Sequence, residues 1–195
     1  MTDTPEIHPL TSDRWDDLAA LFGKSGAFSG CWCMYWRMPS KAFSASSGER
    51  NREALRALAG GERAPGLLAY VDGQAVGWTA VGPREDFQRL QNSRVIKPVD
   101  DMPVWCVLCF FIHRKYRGRG IGQALLEAAV AFAAEHGAQA VEGYPIRVEG
   151  EHVGDWAVYT GTVEMFHKAG FRELAVTEAR SGGKVRVVMR RDTGR

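Results

Sequence analysis

The sequence lacks a hydrophobic run long enough to cross a membrane. Its longest apolar stretch, residues 104–112, has the length of a β-strand, whereas a membrane-spanning helix needs about 20 apolar residues. Residues 1–6 are polar and acidic, and no apolar stretch follows them, which does not fit a secretory signal. We therefore expect a cytoplasmic protein without a membrane partner.

The sequence also has little net charge. Its 25 Lys and Arg residues and 23 Asp and Glu residues give a formal charge of +2. Basic side chains cluster only at 114–119 and 190–195. Proteins that bind nucleic acids neutralise many phosphates and therefore carry dense positive surfaces. We expect no nucleic-acid partner for this chain.

Cysteine is scarce, with four residues in two pairs, Cys31/Cys33 and Cys106/Cys109. Four cysteines in a cytosolic chain are usually reduced thiols rather than a disulfide framework. A four-sulfur zinc site would need both members of the second pair at one metal. Residues three apart on a strand point to opposite faces unless a bulge intervenes. We therefore expect ordinary buried thiols and no metal.

Length and composition predict one domain over 1–195, because 195 residues with 45% hydrophobic and 25% charged side chains are typical of a globular chain. We divide it into an N-terminal helical part, 1–65, with an aromatic and Cys-rich segment, and a core, 66–195. In the core, two apolar runs flank Asp72-Gly73, which favours a type I′ hairpin. The later predicted elements are a strand at 104–112, a helix ending at Gly137, a strand at 138–146, a helix at 162–168 and strands at 171–177 and 184–190.

The loop between the apolar strand and its helix reads Arg117-Gly118-Arg119-Gly120-Ile121-Gly122. A glycine-rich turn that leads into a helix presents backbone N–H groups together with the positive end of the helix dipole. Arginine side chains add charge-assisted hydrogen bonds to such a site. The loop therefore predicts a site for phosphate or pyrophosphate.

Two known phosphate-binding motifs compete for this interpretation. A Walker loop requires G-x-x-x-x-G-K-[ST], but Leu18 stands where the first glycine before Gly23-Lys24-Ser25 is needed. A Rossmann site fits Gly118-Arg119-Gly120 after a strand, with Glu142 about 20 residues later as a ribose-binding acid. Its third glycine, however, is replaced by Gln123, and too few residues follow for the rest of a doubly wound sheet.

Arg117-x-x-Gly120-x-Gly122 after an apolar strand resembles the acetyl-CoA signature of the GNAT superfamily of N-acetyltransferases, [RQ]-x-x-G-x-[GA]. The segment 165–171, which leaves a helix at Gly170-Phe171, resembles the last helix of that family. The hairpin before the cofactor strand is similar as well. The resemblance covers 67–190 well and the N-terminal third in outline. It implies an α/β fold with a twisted, mixed, mostly antiparallel central sheet and helices on both faces.

The resemblance also implies an acetyl-CoA-dependent N-acetyltransferase, with acetyl-CoA as co-substrate and no metal. The acceptor would be a small-molecule or peptide amine that attacks the thioester directly, and a homodimer is a possible assembly. In the family, the pantetheine arm pairs with the signature strand and the pyrophosphate lies on the loop. Carried over, the cofactor-binding residues are Phe110, Phe111, Ile112, Arg117, Gly118, Arg119, Gly120, Ile121, Gly122 and Gln123.

The catalytic residues depart from the family pattern. The tyrosine that often protonates the leaving thiolate is replaced by Phe166, which cannot donate a proton. Tyr159 is our candidate for the displaced acid, although its hydroxyl could instead bind a backbone group. The candidates for the base are Glu142, on the second parallel strand, and Asp155 and Glu151, in the long loop 147–158.

The same long loop and the aromatic segment are expected to shape the acceptor pocket. Glu149, Glu151 and Asp155 would suit a cationic amine, or would simply lie on an exposed loop. Trp32, Tyr35 and Trp36 predict a mixture of core and pocket wall. An alternative function is a non-catalytic acyl-CoA-binding module, because the usual acid is missing and no base is obvious. A covalent relay through a buried cysteine is disfavoured, because burial raises the pKa of a thiol.

Overall fold

The computed structural model describes residues 4–150 and 153–194. Within these residues the chain forms a seven-stranded sheet and six α-helices. The strands are β1 Glu6–Pro9, β2 Gly66–Val71, β3 Gln74–Pro83, β4 Trp105–Ile112, β5 Ala140–Gly143, β6 Arg172–Ser181 and β7 Lys184–Asp192. The helices are α1 Trp15–Phe22, α2 Ser40–Ser44, α3 Gly48–Ala59, α4 Gln88–Gln91, α5 Ile121–Glu135 and α6 Val163–Lys168.

The sheet has the order β1-β2-β3-β4-β5-β7-β6. Every neighbouring pair is antiparallel except β4 and β5, which are joined by the crossover through α5. This arrangement confirms the mixed, mostly antiparallel sheet and is incompatible with a doubly wound Rossmann sheet. The interpretation of 1–65 as helical was incomplete, because β1 in that part pairs with β2 along the sheet edge.

Helices cover both faces of the sheet, as expected. On one face, Leu18 of α1 and Leu55 of α3 join the apolar cluster that contains the fully buried Trp78. On the other face, α5 and α6 pack through Leu125 and Phe166 onto a second apolar cluster. The strands β2 and β4 are buried over most of their length, which explains their continuous apolar sequence. Within the described residues, no helix has the length and apolarity needed to span a membrane.

Two local turns follow the sequence closely. Asp72 and Gly73 both have positive φ values, 51° and 72°, as a type I′ turn requires. Gly137 ends α5 in the left-handed conformation with φ 81°, a position that favours glycine because it lacks a Cβ atom. The predicted hairpin and the predicted end of the helix are both confirmed.

A β-bulge at Cys109 changes the direction of side chains along β4. The register with β3 shifts at this point, and Cys109 has a positive φ of 56°. Consequently Cys106 and Cys109 contribute to the same apolar cluster, although a regular strand would point them to opposite faces. The alternation assumed from the sequence is therefore wrong at this position.

The strands β4 and β5 pair over three residues and then separate. They pair only from Trp105 to Val107, and β4 continues beyond that point without its parallel partner. The returning segment before α6 enters the gap, where the N–H of Phe110 donates to the carbonyl of Tyr159 over 2.6 Å. On the other side of this segment, the N–H of Ile146 donates to the carbonyl of Gly161 over 3.1 Å. The separation creates the main concavity of the protein.

Candidate active site

A cleft of 1410 Å³ opens beside the free end of β4. It is lined by five parts of the chain: the end of β4 with the following loop, the aromatic segment around residue 35, the segment 89–96, the loop before α6, and the hairpin of β6 and β7. The sheet brings these parts together although they lie far apart in the sequence. Six of the predicted site residues line the cleft, namely Phe110, Phe111, Ile112, Arg117, Asp155 and Tyr159.

The edge of β4 supplies backbone groups to this cleft. The N–H of His113 donates to Val76 in β3 over 2.8 Å, so the N–H of the preceding Ile112 points to the opposite edge, toward the cleft. The carbonyl of Ile112 accepts a hydrogen bond from Arg117 Nε over 3.1 Å. An extended ligand lying along this edge would find a backbone donor at Ile112.

The glycine-rich loop connects this edge to α5. Gly118 and Gly120 have φ values of 74° and 82°, and a Cβ atom at either position would meet nothing within 4 Å. Their positive φ, rather than lack of space, is therefore what favours glycine. The first helical hydrogen bond runs from the N–H of Ala124 to the carbonyl of Gly120. The preceding N–H groups, of Ile121, Gly122 and Gln123, are the unpaired donors that the start of any helix presents.

The arginines of the loop have different surroundings. Arg117 forms an ion pair with Asp155 across the cleft mouth. The guanidinium of Arg119 lies 5.2 Å from the centroid of the Tyr116 ring. The side chain of Gln123 donates to Glu127 over 2.9 Å. Of these side chains, only that of Arg117 reaches the cleft.

Tyr159 lies within the cleft, and its hydroxyl accepts a hydrogen bond from Arg186 Nη2 over 3.1 Å. The alternative, in which this hydroxyl binds a backbone group, does not fit that geometry. Burial raises the pKa of the Tyr159 phenol above its ordinary value, while the positive charge of Arg186 acts in the opposite direction. The phenol therefore holds its proton at neutral pH and can act as a donor.

Phe166, at the position of the usual acid, lies outside the cleft. Its ring is fully buried and packs edge-on against Phe110 and Phe171 with centroid distances of 6.3 and 4.9 Å. It also lies directly against the backbone of Gly143, where even a Cβ atom would collide with it. Phe166 therefore belongs to the apolar core beneath α6.

Glu142 does not fit the role of general base that the sequence suggested. Its side chain is 2% exposed and lies away from the cleft. One carboxylate oxygen accepts two hydrogen bonds from Arg190, over 2.7 and 3.0 Å. The other accepts from the Tyr144 hydroxyl over 2.9 Å and lies 3.6 Å from Arg84. The residue balances two buried arginines, so its role is structural.

Asp155 is the one carboxylate among the described residues that line the cleft. Its side chain is 75% exposed and is paired with Arg117. Glu149, in the same loop, is exposed, and Glu151 lies outside the described residues. Of the three candidate bases, Asp155 is therefore the one that the described structure brings to the cleft.

The aromatic segment divides between core and cleft, which confirms the expected mixture. Trp32 stacks on Trp15 at 5.8 Å between ring centroids and belongs to the core. Tyr35 and Trp36 line the cleft. The segment turns repeatedly, and four of its non-glycine residues have positive φ, namely Ala27, Ser29, Trp32 and Cys33.

Three thiols also line the cleft, those of Cys31, Cys33 and Cys109. All four cysteines are free. A hydrogen bond with Cys109 together with burial raises the pKa of the Cys33 thiol. Burial likewise raises the pKa of Cys31 to about 11. In the described residues, no three His, Cys, Asp or Glu side chains come together in a way that could hold a metal ion.

Sequence reasoning missed the arginines of the cleft other than Arg117. Arg186 in β7 is 4% exposed and lines the cleft, as do Arg89, Arg94 and Arg180. The available signal was a charged residue at a position flanked by valines in the run Val185-Arg186-Val187. Such a residue in a buried strand needs hydrogen-bond partners, and its location can mark a binding site.

The comparisons with known proteins agree with this architecture. The profile of the family described as Acetyltransferase (GNAT) family matches residues 31–159. No curated protein sequence matches the chain. A solved GNAT acetyltransferase from Streptococcus pneumoniae is 18% identical with a TM-score of 0.55, covering 97% of this chain and 99% of its own.

Two further solved structures are similar and contain a coenzyme. The Salmonella typhimurium protein yncA, solved with acetyl-CoA, is 13% identical with a TM-score of 0.53, covering 97% of this chain and 94% of its own. An aminoglycoside 6′-N-acetyltransferase complexed with coenzyme A is 14% identical with a TM-score of 0.55, covering 96% and 97%. At these identities the likeness concerns the fold.

Proposed function

Because the chain belongs to the Acetyltransferase (GNAT) family, we propose that it transfers an acetyl group from acetyl-CoA to a primary amine. The observation that carries the proposal is the glycine-rich loop at the start of α5, placed directly beside the free edge of β4. Pyrophosphate would bind the unpaired N–H groups at the helix start together with Arg117. The pantetheine arm would lie along β4, with the Ile112 N–H as a backbone donor.

The chemistry requires a neutral amine, because an alkyl ammonium group has no free electron pair. Asp155 is our candidate to accept the proton of the ammonium group, directly or through water. This requires that pyrophosphate bind Arg117 and break its ion pair with Asp155. The amine nitrogen then attacks the thioester carbon. The C–N bond forms, the C–S bond breaks, the nitrogen gives up its second proton to solvent, and coenzyme A leaves as a thiolate.

Tyr159 is our candidate to protonate that thiolate. Its phenol holds its proton at neutral pH because burial raises its pKa. When the proton leaves, the phenolate is stabilised by Arg186, which already donates a hydrogen bond to this oxygen. Solvent then restores the proton. Tyr159 thus replaces the tyrosine that is missing at Phe166.

Calorimetry with acetyl-CoA and a free-thiol assay with a panel of amines test this proposal. We expect acetyl-CoA to bind, NADH not to bind, and thiol release to depend on the amine. Arg117→Ala should weaken acetyl-CoA binding roughly 10-fold or more, the value of a lost charge-assisted hydrogen bond. Arg172→Ala is the matched control, because this exposed arginine pairs with Asp192 on the far strands.

The outcomes separate the competing functions. Acetyl-CoA binding without turnover on any amine would support the non-catalytic binding module. Binding of NADH but not of coenzyme A would support neither function. Equal losses of affinity in Arg117→Ala and Arg172→Ala would place the pyrophosphate away from the glycine-rich loop.

A further inference from the structure

Arg186 carries a buried positive charge that is not neutralised by a carboxylate. Its Nη1 donates to the carbonyl of Tyr144 over 3.0 Å and to the hydroxyl of Thr160, and its Nη2 donates to the hydroxyl of Tyr159. All three partners are neutral. Among the described residues, none supplies a carboxylate within ion-pair distance of this guanidinium. Burying a charge without a counter-charge is costly, so such a site favours an anionic ligand.

Trp36 adds an unused donor at the same place. Its side chain is almost fully buried, and its indole N–H lies close enough to the Tyr159 hydroxyl to lower the pKa of that phenol against the larger rise from burial, but it makes no hydrogen bond within the described residues. The ring lies 5.7 Å from the guanidinium carbon of Arg186. Both residues line the cleft. A buried N–H group without an acceptor is costly, and a bound oxygen atom would remove that cost.

The charges around this part of the cleft have one sign. Arg89 donates to the carbonyl of Tyr35 over 2.7 Å, and Arg180 donates to the carbonyl of Gly183 over 3.0 Å. The one carboxylate of the described cleft, Asp155, is paired with Arg117 on the cofactor side. Among the described residues, a group that approaches Arg186 therefore meets arginines and no carboxylate other than Asp155, the proposed base.

The walls beside Arg186 are aromatic. Tyr35 packs edge-on against Trp36 and Phe43, with centroid distances of 5.2 and 5.5 Å. Phe111, at the end of β4, also lines the cleft. Such walls bind an apolar body by excluding water from it. The same site thus offers two anion donors and an apolar surface.

We propose that the acceptor amine also carries a carboxylate, which binds Arg186 and the indole N–H of Trp36. Its apolar body lies against the aromatic walls, so the substrate class is an amino acid with a large apolar side chain or a similar amino-carboxylic acid. The inference rests on the proposed acetyltransferase function. It adds an anionic group to the cationic amine that the acidic loop 147–158 would suit.

Three matched amines test the carboxylate on the wild-type protein. Phenylalanine carries it, phenylalaninamide replaces it by a neutral group of the same size, and phenethylamine lacks it. The amino group of the amide is less basic, and that of phenethylamine more basic, than that of phenylalanine. A difference in amine basicity alone therefore cannot give phenylalanine the highest kcat/KM of the three. We expect kcat/KM for phenylalanine to exceed both others by at least roughly 10-fold, the value of one hydrogen bond to a charged group. Equal or better use of the uncharged amines would overturn the proposal.

Two variants test which residues cause the preference for the carboxylate over the amide. Arg186→Gln and Trp36→Phe should each lower the acid-to-amide ratio of kcat/KM, the first toward one. Using the ratio removes any general loss of activity, including loss through Tyr159, and a merely structural arginine would leave it unchanged. Arg186→Lys keeps the charge and should retain part of the preference. Arg172→Gln, which loses the same charge far from the cleft, is the control.

A binding experiment on the wild-type protein tests the proposal even if the variants do not fold. Phenylacetate has the body and the carboxylate without the amine, and phenylacetamide is its neutral match. On the wild-type protein, phenylacetate should bind at least roughly 10-fold more tightly than phenylacetamide, and it should not displace acetyl-CoA. Equal binding of the two, or none, would overturn the proposal. Absence of acetyl-CoA binding and of turnover on every amine would instead contradict the acetyltransferase function.

Discussion

The guanidinium of Arg117 and the carboxylate of Asp155 form an ion pair across the mouth of the cleft. The pair joins the cofactor loop to the long loop before α6. In the proposed function both partners have another task, because Arg117 binds pyrophosphate and Asp155 accepts the amine proton. Cofactor binding and release of the carboxylate are then a single event, in which one anion replaces another on Arg117.

Asp155→Asn tests this exchange. Removing the competing carboxylate should tighten acetyl-CoA binding by about 1.5- to 5-fold, a small effect because the pair is exposed to solvent. If Asp155 is also the base, kcat should fall by roughly 10²-fold or more. Calorimetry and steady-state kinetics measure the two effects separately. Weaker acetyl-CoA binding in Asp155→Asn would contradict the competition.

Gly120→Ala and Gly137→Ala separate backbone strain from cofactor binding. Both glycines flank α5 with nearly equal φ values, 82° and 81°, and neither position is sterically crowded. Each variant should therefore lower the free energy of unfolding by about 1–2 kcal/mol. Only Gly120→Ala should also weaken acetyl-CoA binding, because only this glycine precedes the donors at the helix start. Denaturant titrations and calorimetry measure both quantities, and equal affinities in the two variants would argue against the site.

Tyr159→Phe should lower kcat on the order of 10²-fold, as expected for the loss of one proton-transfer group. Acetyl-CoA affinity should change little, because the ring remains. Steady-state kinetics with calorimetry give both values. Loss of affinity with kcat intact would make Tyr159 a cofactor contact. A lower Tm with both intact would make its bond to Arg186 purely structural.

Phe166→Tyr in the Tyr159→Phe variant tests whether the position that usually carries the acid in the family can supply the proton. Phe166→Tyr should fail to restore kcat, because the ring is buried against Gly143 and does not reach the cleft. The added hydroxyl should instead destabilise the protein by about 1–3 kcal/mol, because the described core residues around it are apolar and offer it no hydrogen-bond partner. Recovery of kcat in the double variant would show that the proton route still passes through α6.

Glu142→Gln should reduce stability without affecting acetyl-CoA binding. The change leaves Arg84 without its carboxylate and weakens the hydrogen bonding of Arg190, and breaking a buried ion pair costs about 3–5 kcal/mol. Glu164→Gln is the matched control, because its pair with Lys168 is exposed and worth about 0.3–0.5 kcal/mol. Denaturant unfolding and calorimetry provide the readouts. A stable Glu142→Gln protein with much lower kcat would restore Glu142 as a base.

The sequence by itself determined the local structure and the glycine-rich loop. Asp72-Gly73 specifies its hairpin because few other residues adopt positive φ at two successive positions. The run from Arg117 to Gly122 specifies a helix start with open donors, because this property depends only on neighbouring residues. Local backbone preferences are readable without knowing what packs against them.

Only the tertiary structure decided which residues line the cleft. Glu142, on the strand next to β4, faces two buried arginines rather than the cleft. The bulge at Cys109 reverses the expected side-chain alternation. Arg186 and Trp36 are 150 residues apart yet share one pocket. Such relations depend on strand register and on how the chain crosses the sheet, which are set by packing between distant segments rather than by any local pattern.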